Sequence, residues 1–148
     1  MYRHPNCPDA AARIHGGTDA PGLSGQVRFY QECGSVLVVA EVSGFPAGDE
    51  NGFFALHIHE GDSCRGEGFP ETGGHYNPKG VTHPCHAGDL PPLMVCGGRA
   101  YLAVRTDRFR VSEIIGRTVV IHGGNDDFRS QPAGNSGMKI ACGVICRC

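Results

Sequence analysis

The sequence has no tryptophan, few aromatic residues and no long apolar run, and each shortage narrows what the protein can be. Aromatic residues make up 7% of its 148 residues, and its longest apolar run is 36–40. A membrane-spanning helix needs about 20 apolar residues. The net charge is −2, from 15 acidic and 13 basic side chains, so the electrostatic basis for binding nucleic acid or a membrane surface is missing. We expect neither as a partner.

The start of the chain also lacks a basic segment followed by an apolar segment, which is the pattern of a secretory signal. The expected compartment is therefore the cytoplasm if Met1 is the native start, and an extracytoplasmic one otherwise. The length predicts a single domain over residues 1–148, in which residues 1–10 form an N-terminal extension.

Glycine and proline are plentiful, at 23 and 10 residues, which argues against a helical bundle. Alternating apolar residues, typical of strands, recur in six segments: 26–32, 36–42, 53–59, 100–105, 118–122 and 139–145. Two stretches without this rhythm, 61–93 and 123–138, are predicted to be long functional loops. The pattern predicts an all-β fold, an antiparallel β-sandwich or flattened barrel.

Cysteine and histidine are unusually frequent, with eight residues of each. Thiols and imidazoles are common ligands of transition metals, so metal or redox chemistry is the leading hypothesis. The even number of cysteines leaves open a disulfide-rich structural domain with incidental histidines, which would bind no metal.

Three histidines lie on predicted strands, on the side opposite the apolar residues. Side chains alternate along a strand, so His57 and His59 share one face while Phe54, Leu56 and Ile58 share the other. The same reasoning turns His122 away from Val119 and Ile121. We predict a site between the outer wall of the sheet and the loops that cover it.

The first predicted loop adds three histidines and an aspartate within fifteen residues, namely His75, His83, His86 and Asp89. Four protein ligands of this composition are typical of a closed tetrahedral zinc site, which is structural rather than catalytic.

These residues belong to motifs that resemble the copper/zinc superoxide dismutase family: His57-Ile58-His59-Glu60, Gly74-His75-Tyr76-Asn77-Pro78, His86-Ala87-Gly88-Asp89-Leu90, 116–122, Gly134-Asn135-Ser136-Gly137 and Ala141-Cys142-Gly143-Val144. The resemblance runs from about Ala11 to Ile145. It implies a Greek-key barrel that disproportionates superoxide to O₂ and H₂O₂ by copper redox cycling beside a structural zinc. A homodimer is a further expectation.

The resemblance also implies roles for individual residues. Copper would be held by His57, His59, His75 and His122, and zinc by His75, His83, His86 and Asp89. His75 would bridge the metals and carry a proton during turnover. Asp126 would link a copper histidine to a zinc histidine, and Cys64 would form a disulfide with Cys142. Lys139 stands where the family has an arginine beside the copper, so the charge is kept but the bidentate fork is lost.

Six cysteines lie outside the family pattern. Cys85 and Cys96 are predicted to form a disulfide that braces the first loop, with zinc ligation by Cys85 as the rival. Cys7, Cys33, Cys146 and Cys148 are predicted to gather at one end of the barrel, as two disulfides or a tetrathiolate zinc site. The C-x-C pair Cys146 and Cys148 supports a second function, a copper-binding or copper-delivery module with little turnover.

Overall fold

The computed structural model describes residues 7–46 and 52–148, and their regular structure is almost entirely β. Nine strands are present in this part of the chain: β1 (Ala10–Gly16), β2 (Ser24–Glu32), β3 (Ser35–Ser43), β4 (Phe53–Phe54), β5 (Leu56–His59), β6 (Leu93–Cys96), β7 (Arg99–Thr106), β8 (Thr118–His122) and β9 (Lys139–Arg147). Two helical segments of about one turn accompany them, a 3₁₀ segment at Pro70–Thr72 and α1 at Val111–Ile114. Of the predicted N-terminal extension, residues 1–6 lie outside the described residues.

The strands form one antiparallel sheet in the order β4-β6-β7-β3-β2-β1-β9-β8-β5. β1 lies beside β9 and β3 beside β7, so the sheet contains the crossovers expected of Greek-key connectivity. The two edge strands, β4 and β5, are separated by a single residue of the chain. The sheet is therefore nearly closed into a barrel, and the prediction of an all-β antiparallel fold is confirmed.

The prediction of one strand over 53–59 is wrong, because the chain changes partner in the middle of that segment. β4 pairs with β6, whereas β5 pairs with β8. Ala55 lies between them, and its N–H donates to the carbonyl of Gly124 at 2.9 Å. The alternation of side chains continues across this break, so the sequence pattern does not reveal it.

Two observed strands are missing from the alternation pattern. β1 has three alanines at its start, and no apolar alternation marks it. β6 is four residues long and overlaps the end of the predicted first loop. Short strands and strands of small residues carry too little apolar contrast for a periodicity argument.

The core lies inside the barrel and follows the predicted alternation. Phe54, Leu56 and Ile58 belong to the main buried cluster, as do Val119 and Ile121. On the opposite face of the sheet, a small cluster contains Phe69, Val120 and Cys142. The histidines that alternate with the core residues lie on this opposite face, where loops bury them.

The predicted disulfide between Cys64 and Cys142 is confirmed, with an S–S distance of 1.99 Å and a Cα–Cα distance of 5.8 Å. It joins the first loop to β9. The other six cysteines are exposed free thiols, which is contrary to a disulfide-rich structural domain.

The structure does not support the bridge predicted between Cys85 and Cys96. Cys96 pairs with Arg99 at the start of β7. Cys85 follows Pro84, whose carbonyl accepts a hydrogen bond from Arg108, beyond the far end of the same strand. A strand of this length spans about 25 Å, so the two thiols lie near opposite ends of the barrel. Cys85 and Cys96 are close in sequence but not in space, because β6 carries the chain from the first loop to the opposite end of the barrel.

The remaining four cysteines lie near one end of the barrel. Cys146 is opposite Ala11 in the register of β1 and β9, and the N–H of Cys148 donates to the carbonyl of Asp9 at 3.0 Å. Asp9 lies two residues after Cys7, and its carboxylate accepts a hydrogen bond from the N–H of Gln31, close to Cys33. All four are free thiols, so their pairing stays a prediction.

No helix within the described ranges is both long enough and apolar enough to cross a membrane.

Candidate metal centre

The histidines of the outer face are completely covered. His57 and His59 lie on β5, and His122 ends β8, the neighbouring strand. All three are at most 3% exposed. The structure brings them together with His75 in one group of possible metal ligands, and it forms a second group from His75, His83, His86 and Asp89. In each group the ligand atoms lie within 4.8 Å of one another, and His75 belongs to both.

The first loop, residues 60–92, folds back along β5 and delivers its ligands there. Isolated antiparallel bridges pair His57 with Asp89 and His59 with His75. Between these bridges, the N–H of Ile58 donates to the carbonyl of Gly88 at 2.9 Å. A Cβ atom at position 88 would lie 2.2 Å from the carbonyl oxygen of Ile58, so a glycine is needed for this close approach.

In the first group, hydrogen bonds fix which ring nitrogens carry lone pairs. The Nδ1–H of His59 donates to the carbonyl of Gly73 at 2.9 Å, and that of His122 donates to the carbonyl of Gly137 at 3.1 Å. A carbonyl can only accept, so the Nε2 atoms of neutral His59 and His122 both present lone pairs. These two atoms are 3.2 Å apart. Two facing lone pairs repel each other, and a cation coordinated by both would remove the repulsion.

A proton shared by the two Nε2 atoms is a poor candidate for that cation, because burial disfavours the charged imidazolium. Burial lowers the pKa of His59 to about 2 and the pKa of His122 to about 3. Burial also lowers the pKa of His57. The three side chains are therefore neutral at physiological pH and available as metal ligands.

Asp126 lies in the second loop, residues 123–138, and connects the two groups. Its Oδ2 accepts a hydrogen bond from the Nε2–H of His57 at 2.9 Å, and its Oδ1 accepts one from the Nε2–H of His83 at 2.8 Å. Burial alone would raise the pKa of Asp126, but these bonds and a third from the N–H of Phe128 hold the pKa well below its usual range. The carboxylate thereby directs a lone pair to Nδ1 of each ring.

The second group has the spacing of a tetrahedral site. The Nδ1 atoms of His75 and His86 are 3.3 Å apart, and Nδ1 of His83 is 3.0 Å from Oδ2 of Asp89. Zinc–nitrogen bonds of about 2.0–2.1 Å in a tetrahedron place neighbouring ligand atoms about 3.3 Å apart. Burial would raise the pKa of Asp89, but a hydrogen bond from His75 and the neighbouring histidines lower it instead. The carboxylate is therefore ionised and can coordinate a cation.

Three buried nitrogens in these groups have no hydrogen-bond partner: His57 Nδ1, His75 Nε2 and His83 Nδ1. Buried polar atoms are rarely left unpartnered, because each costs about 1–3 kcal/mol. Metal coordination at these atoms would satisfy all three. An all-imidazole group suits copper, and a group of three imidazoles and a carboxylate suits zinc. The residues present thus fit both ions, with Nε2 of His75 on the copper side and Nδ1 on the zinc side.

Lys139 starts β9 beside the first group. Its Nζ donates to Oγ1 of Thr72 at 2.8 Å and to the carbonyl of Gly73 at 3.0 Å. The same Gly73 carbonyl accepts the hydrogen bond from His59. The ammonium is therefore fixed next to a ligand of the copper-like group, and partial burial lowers its pKa.

Other residues of the site escaped the sequence reasoning. Gly73 and Gly137 act through backbone carbonyls, a role that the sequence does not show even though Gly137 lies in one of the quoted motifs. Gly134 belongs to a motif recognised in the sequence, but its role is visible only in the structure. Its φ is 68°, and a Cβ atom there would lie 2.0 Å from Oδ1 of Asp126 and 2.6 Å from Nε2 of His83. Arg108 and Gln131, which contact the backbone of the second group, were not identified either.

Comparisons with known proteins agree with this geometry. The family model for copper/zinc superoxide dismutase matches residues 23–145. The chain is 37% identical over 139 residues to the extracellular copper/zinc superoxide dismutase of Rattus norvegicus, an alignment that covers 86% of this chain and 56% of that protein. It is 33% identical over 136 residues to a copper/zinc superoxide dismutase of Aquifex aeolicus (strain VF5), covering 82% of this chain and 78% of that protein.

A relative that is named as a copper chaperone, not as a dismutase, also aligns with the chain. The chain is 32% identical over 156 aligned positions to the copper chaperone for superoxide dismutase of Mus musculus, which covers 89% of this chain and 56% of that protein. The chain thus spans just over half the length of its mammalian relatives and more than three quarters of the bacterial one. On the family match and these identities, the chain belongs to the copper/zinc superoxide dismutase family.

Proposed function

We propose that this protein is a superoxide dismutase, which converts two superoxide anions and two protons into O₂ and H₂O₂. The observation that carries the proposal is the pair of ligand groups that share His75. Copper bound by the first group would supply one-electron chemistry, oxidising one superoxide and reducing the next. Zinc bound by the second group would hold the first loop against β5.

The chain's own residues contribute protonation and orientation. His75 is the proposed proton carrier, because it belongs to both groups and its buried Nε2 has no hydrogen-bond partner. Its Nδ1 lies 2.7 Å from Oδ1 of Asp89, which orients the ring. Asp126 fixes the tautomers of His57 and His83 by accepting from both Nε2–H groups.

Lys139 is the proposed guide for the anionic substrate. Its ammonium is held by Thr72 and Gly73, next to the ligand His59. A fixed positive charge at the entrance of a site raises the rate at which small anions reach it. Arg129 is a further exposed cation, in the second loop.

Substitution of one copper ligand tests this function. His122 belongs to the first group only, so His122→Ala should abolish superoxide consumption while one zinc per chain is retained. His15→Ala, on the outer face of β1, is the matched control and should keep full activity and both metals. Metal analysis and a superoxide-consumption assay measure both results. Normal turnover by His122→Ala would refute the copper assignment.

A second candidate function, copper delivery with little turnover, is favoured by one observation. Cys146 lies near the end of β9 and Cys148 directly follows the strand; both are exposed free thiols, which suits a soft Cu(I) ion. A relative is named as a copper chaperone. If delivery is the function, wild-type protein should consume little superoxide, and replacing both cysteines by serine should remove one Cu(I) per chain. Full turnover by that double variant favours the dismutase.

We also propose that residues 1–148 form a single domain and that the protein is a homodimer. The main core cluster, which extends from Ala10 to Ile145, supports the first statement. Met94 and Tyr101, each 63% exposed, are large apolar side chains that support the second. Sedimentation analysis of the purified protein measures the oligomeric state, and a monomer at all concentrations would refute the dimer.

A further inference from the structure

Two side chains from outside the ligand groups hold the backbone of the ligands that belong only to the second group. We propose that Arg108 and Gln131 are positioning residues, which preorganise His83, His86 and Asp89 for zinc and slow its release. This inference rests on the zinc site of the proposed function, but it does not depend on turnover. It concerns the backbone of these ligands, whereas Asp126 contacts the ring of only one of them, His83.

Arg108 acts on His86 and Asp89. Its Nη1 lies 2.9 Å from the carbonyl oxygen of Pro84, 3.2 Å from that of His86 and 3.3 Å from that of Asp89. Three backbone carbonyls therefore converge on one cationic nitrogen, and their partial negative charges favour a cation there. One guanidinium nitrogen thus ties together a loop segment that contains two ligands.

The barrel holds Arg108 itself in place. Its N–H donates to Oγ1 of Thr106, the last residue of β7, at 3.2 Å. The next residue, Phe109, is 4% exposed and packs edge-on against Phe29 of β2, with ring centroids 6.4 Å apart. The guanidinium is therefore attached to a rigid part of the structure, and it transmits that rigidity to the first loop.

Gln131 acts on His83 through both ends of its amide. Its Oε1 accepts a hydrogen bond from the N–H of His83 at 2.9 Å, and its Nε2 donates to the carbonyl of the same residue at 2.8 Å. This two-point contact imitates the pairing of a β-bridge. In the second loop, the carboxylate of Asp127 accepts from the backbone N–H groups of Arg129 and Ser130, each at 2.8 Å, and so holds the turn before Gln131.

The two contacts act on the backbone of the ligands rather than on their metal-binding atoms. His83 is held by Gln131, while His86 and Asp89 are held by Arg108. No donor atom of either ligand group belongs to Arg108 or Gln131. Loss of either contact should therefore loosen zinc without changing the ligand set. Partners that orient metal ligands typically contribute 10–100-fold in metal affinity.

Zinc release to a chromophoric chelator, measured on the copper- and zinc-loaded protein, tests the proposal. We expect Arg108→Met and Gln131→Ala to release zinc about tenfold faster than wild type, at the low end of that range because both side chains are exposed. Arg108→Lys should restore most of the retention, since an ammonium has three N–H donors for the three carbonyls. The matched controls are Arg99→Met, at the other end of β7, and Gln26→Ala on β2. Both should release zinc at the wild-type rate.

A spectroscopic measurement separates positioning from general loosening of the fold. With Co²⁺ in place of zinc, the visible absorption of the four-coordinate ion should weaken or shift in Arg108→Met and Gln131→Ala, and return towards wild type in Arg108→Lys. Unchanged spectra and release rates within twofold of wild type would overturn the proposal. So would equal effects in the two controls. If a variant does not fold, Arg108→Gln and Gln131→Glu give the same comparison with smaller changes. A wild-type protein that bound no zinc would refute the zinc site of the proposed function as well.

Discussion

Replacing Asp126 by asparagine should cost the protein its copper rather than its zinc. The two carboxylate oxygens have different partners: Oδ1 accepts from His83 and from the N–H of Phe128, whereas Oδ2 accepts from His57 alone. An asparagine has one oxygen, which should occupy the position with two donors. Its NH₂ group then faces the Nε2–H of His57, so two donors meet.

The structure gives the size of this effect. His57 can accept from the new NH₂ group only by moving its proton to Nδ1, the atom that would bind copper. The loss of a buried hydrogen bond to a charged group is about 1.5–3 kcal/mol, and each 1.4 kcal/mol is about tenfold in affinity. Copper affinity should therefore fall about 10–100-fold, while zinc affinity changes less because the bond to His83 is kept.

Chelator competition for each metal, followed separately in Asp126→Asn and wild type, measures this difference. Asp19→Asn, an exposed aspartate in the turn between β1 and β2, is the matched control and should leave both affinities unchanged. Preferential loss of zinc, or copper binding as tight as in wild type, would refute the reasoning from the two oxygens.

Three further predictions follow from other parts of the structure. Burial lowers the pKa of Lys139, so the charge should be lost, and superoxide consumption should fall, at a lower pH than an ordinary lysine would give; Lys139→Arg should extend the activity to higher pH, and identical pH profiles would contradict the guiding role. Gly134→Ala would place a Cβ atom against Asp126 and His83, so both metals should bind at least tenfold more weakly, whereas Gly80→Ala, in open space at a similar φ, should not change metal content. Cys85 should react rapidly with an alkylating reagent in the metal-loaded protein, as an exposed free thiol; slow alkylation, followed by mass spectrometry, would mean that it is bridged or bound to zinc.

The sequence was sufficient for the parts of the fold and site that depend on alternation. His57 and His59 alternate with core residues, so their common face followed from the period of a strand. The depth of their burial did not follow, because it depends on loops 60–92 and 123–138 folding over the sheet. The break at Ala55 was also hidden, since a change of hydrogen-bonding partner leaves the side-chain pattern unchanged.

Long-range contacts account for most of what the sequence did not reveal. Arg108 is 24 residues from Pro84, and Gln131 is 48 residues from His83. Arg108 and Gln131 are exposed residues of common polar types, so nothing in the sequence distinguishes them. The contacts that do distinguish them are made to backbone atoms. The wrong expectation for Cys85 and Cys96 has the same origin, because closeness along the chain does not give closeness in a barrel.

The way the first loop lies along β5 links metal retention to protein solubility. β5 is the last strand of the sheet, and its outer backbone groups are paired by the loop: the N–H of Ile58 with Gly88, and its carbonyl with the N–H of Tyr76. An uncovered edge strand is a template for pairing with other chains. The segment that supplies the zinc ligands therefore also covers the exposed edge of β5. A chain that loses its zinc and releases the loop would expose this edge, on which other chains could pair and form ordered aggregates.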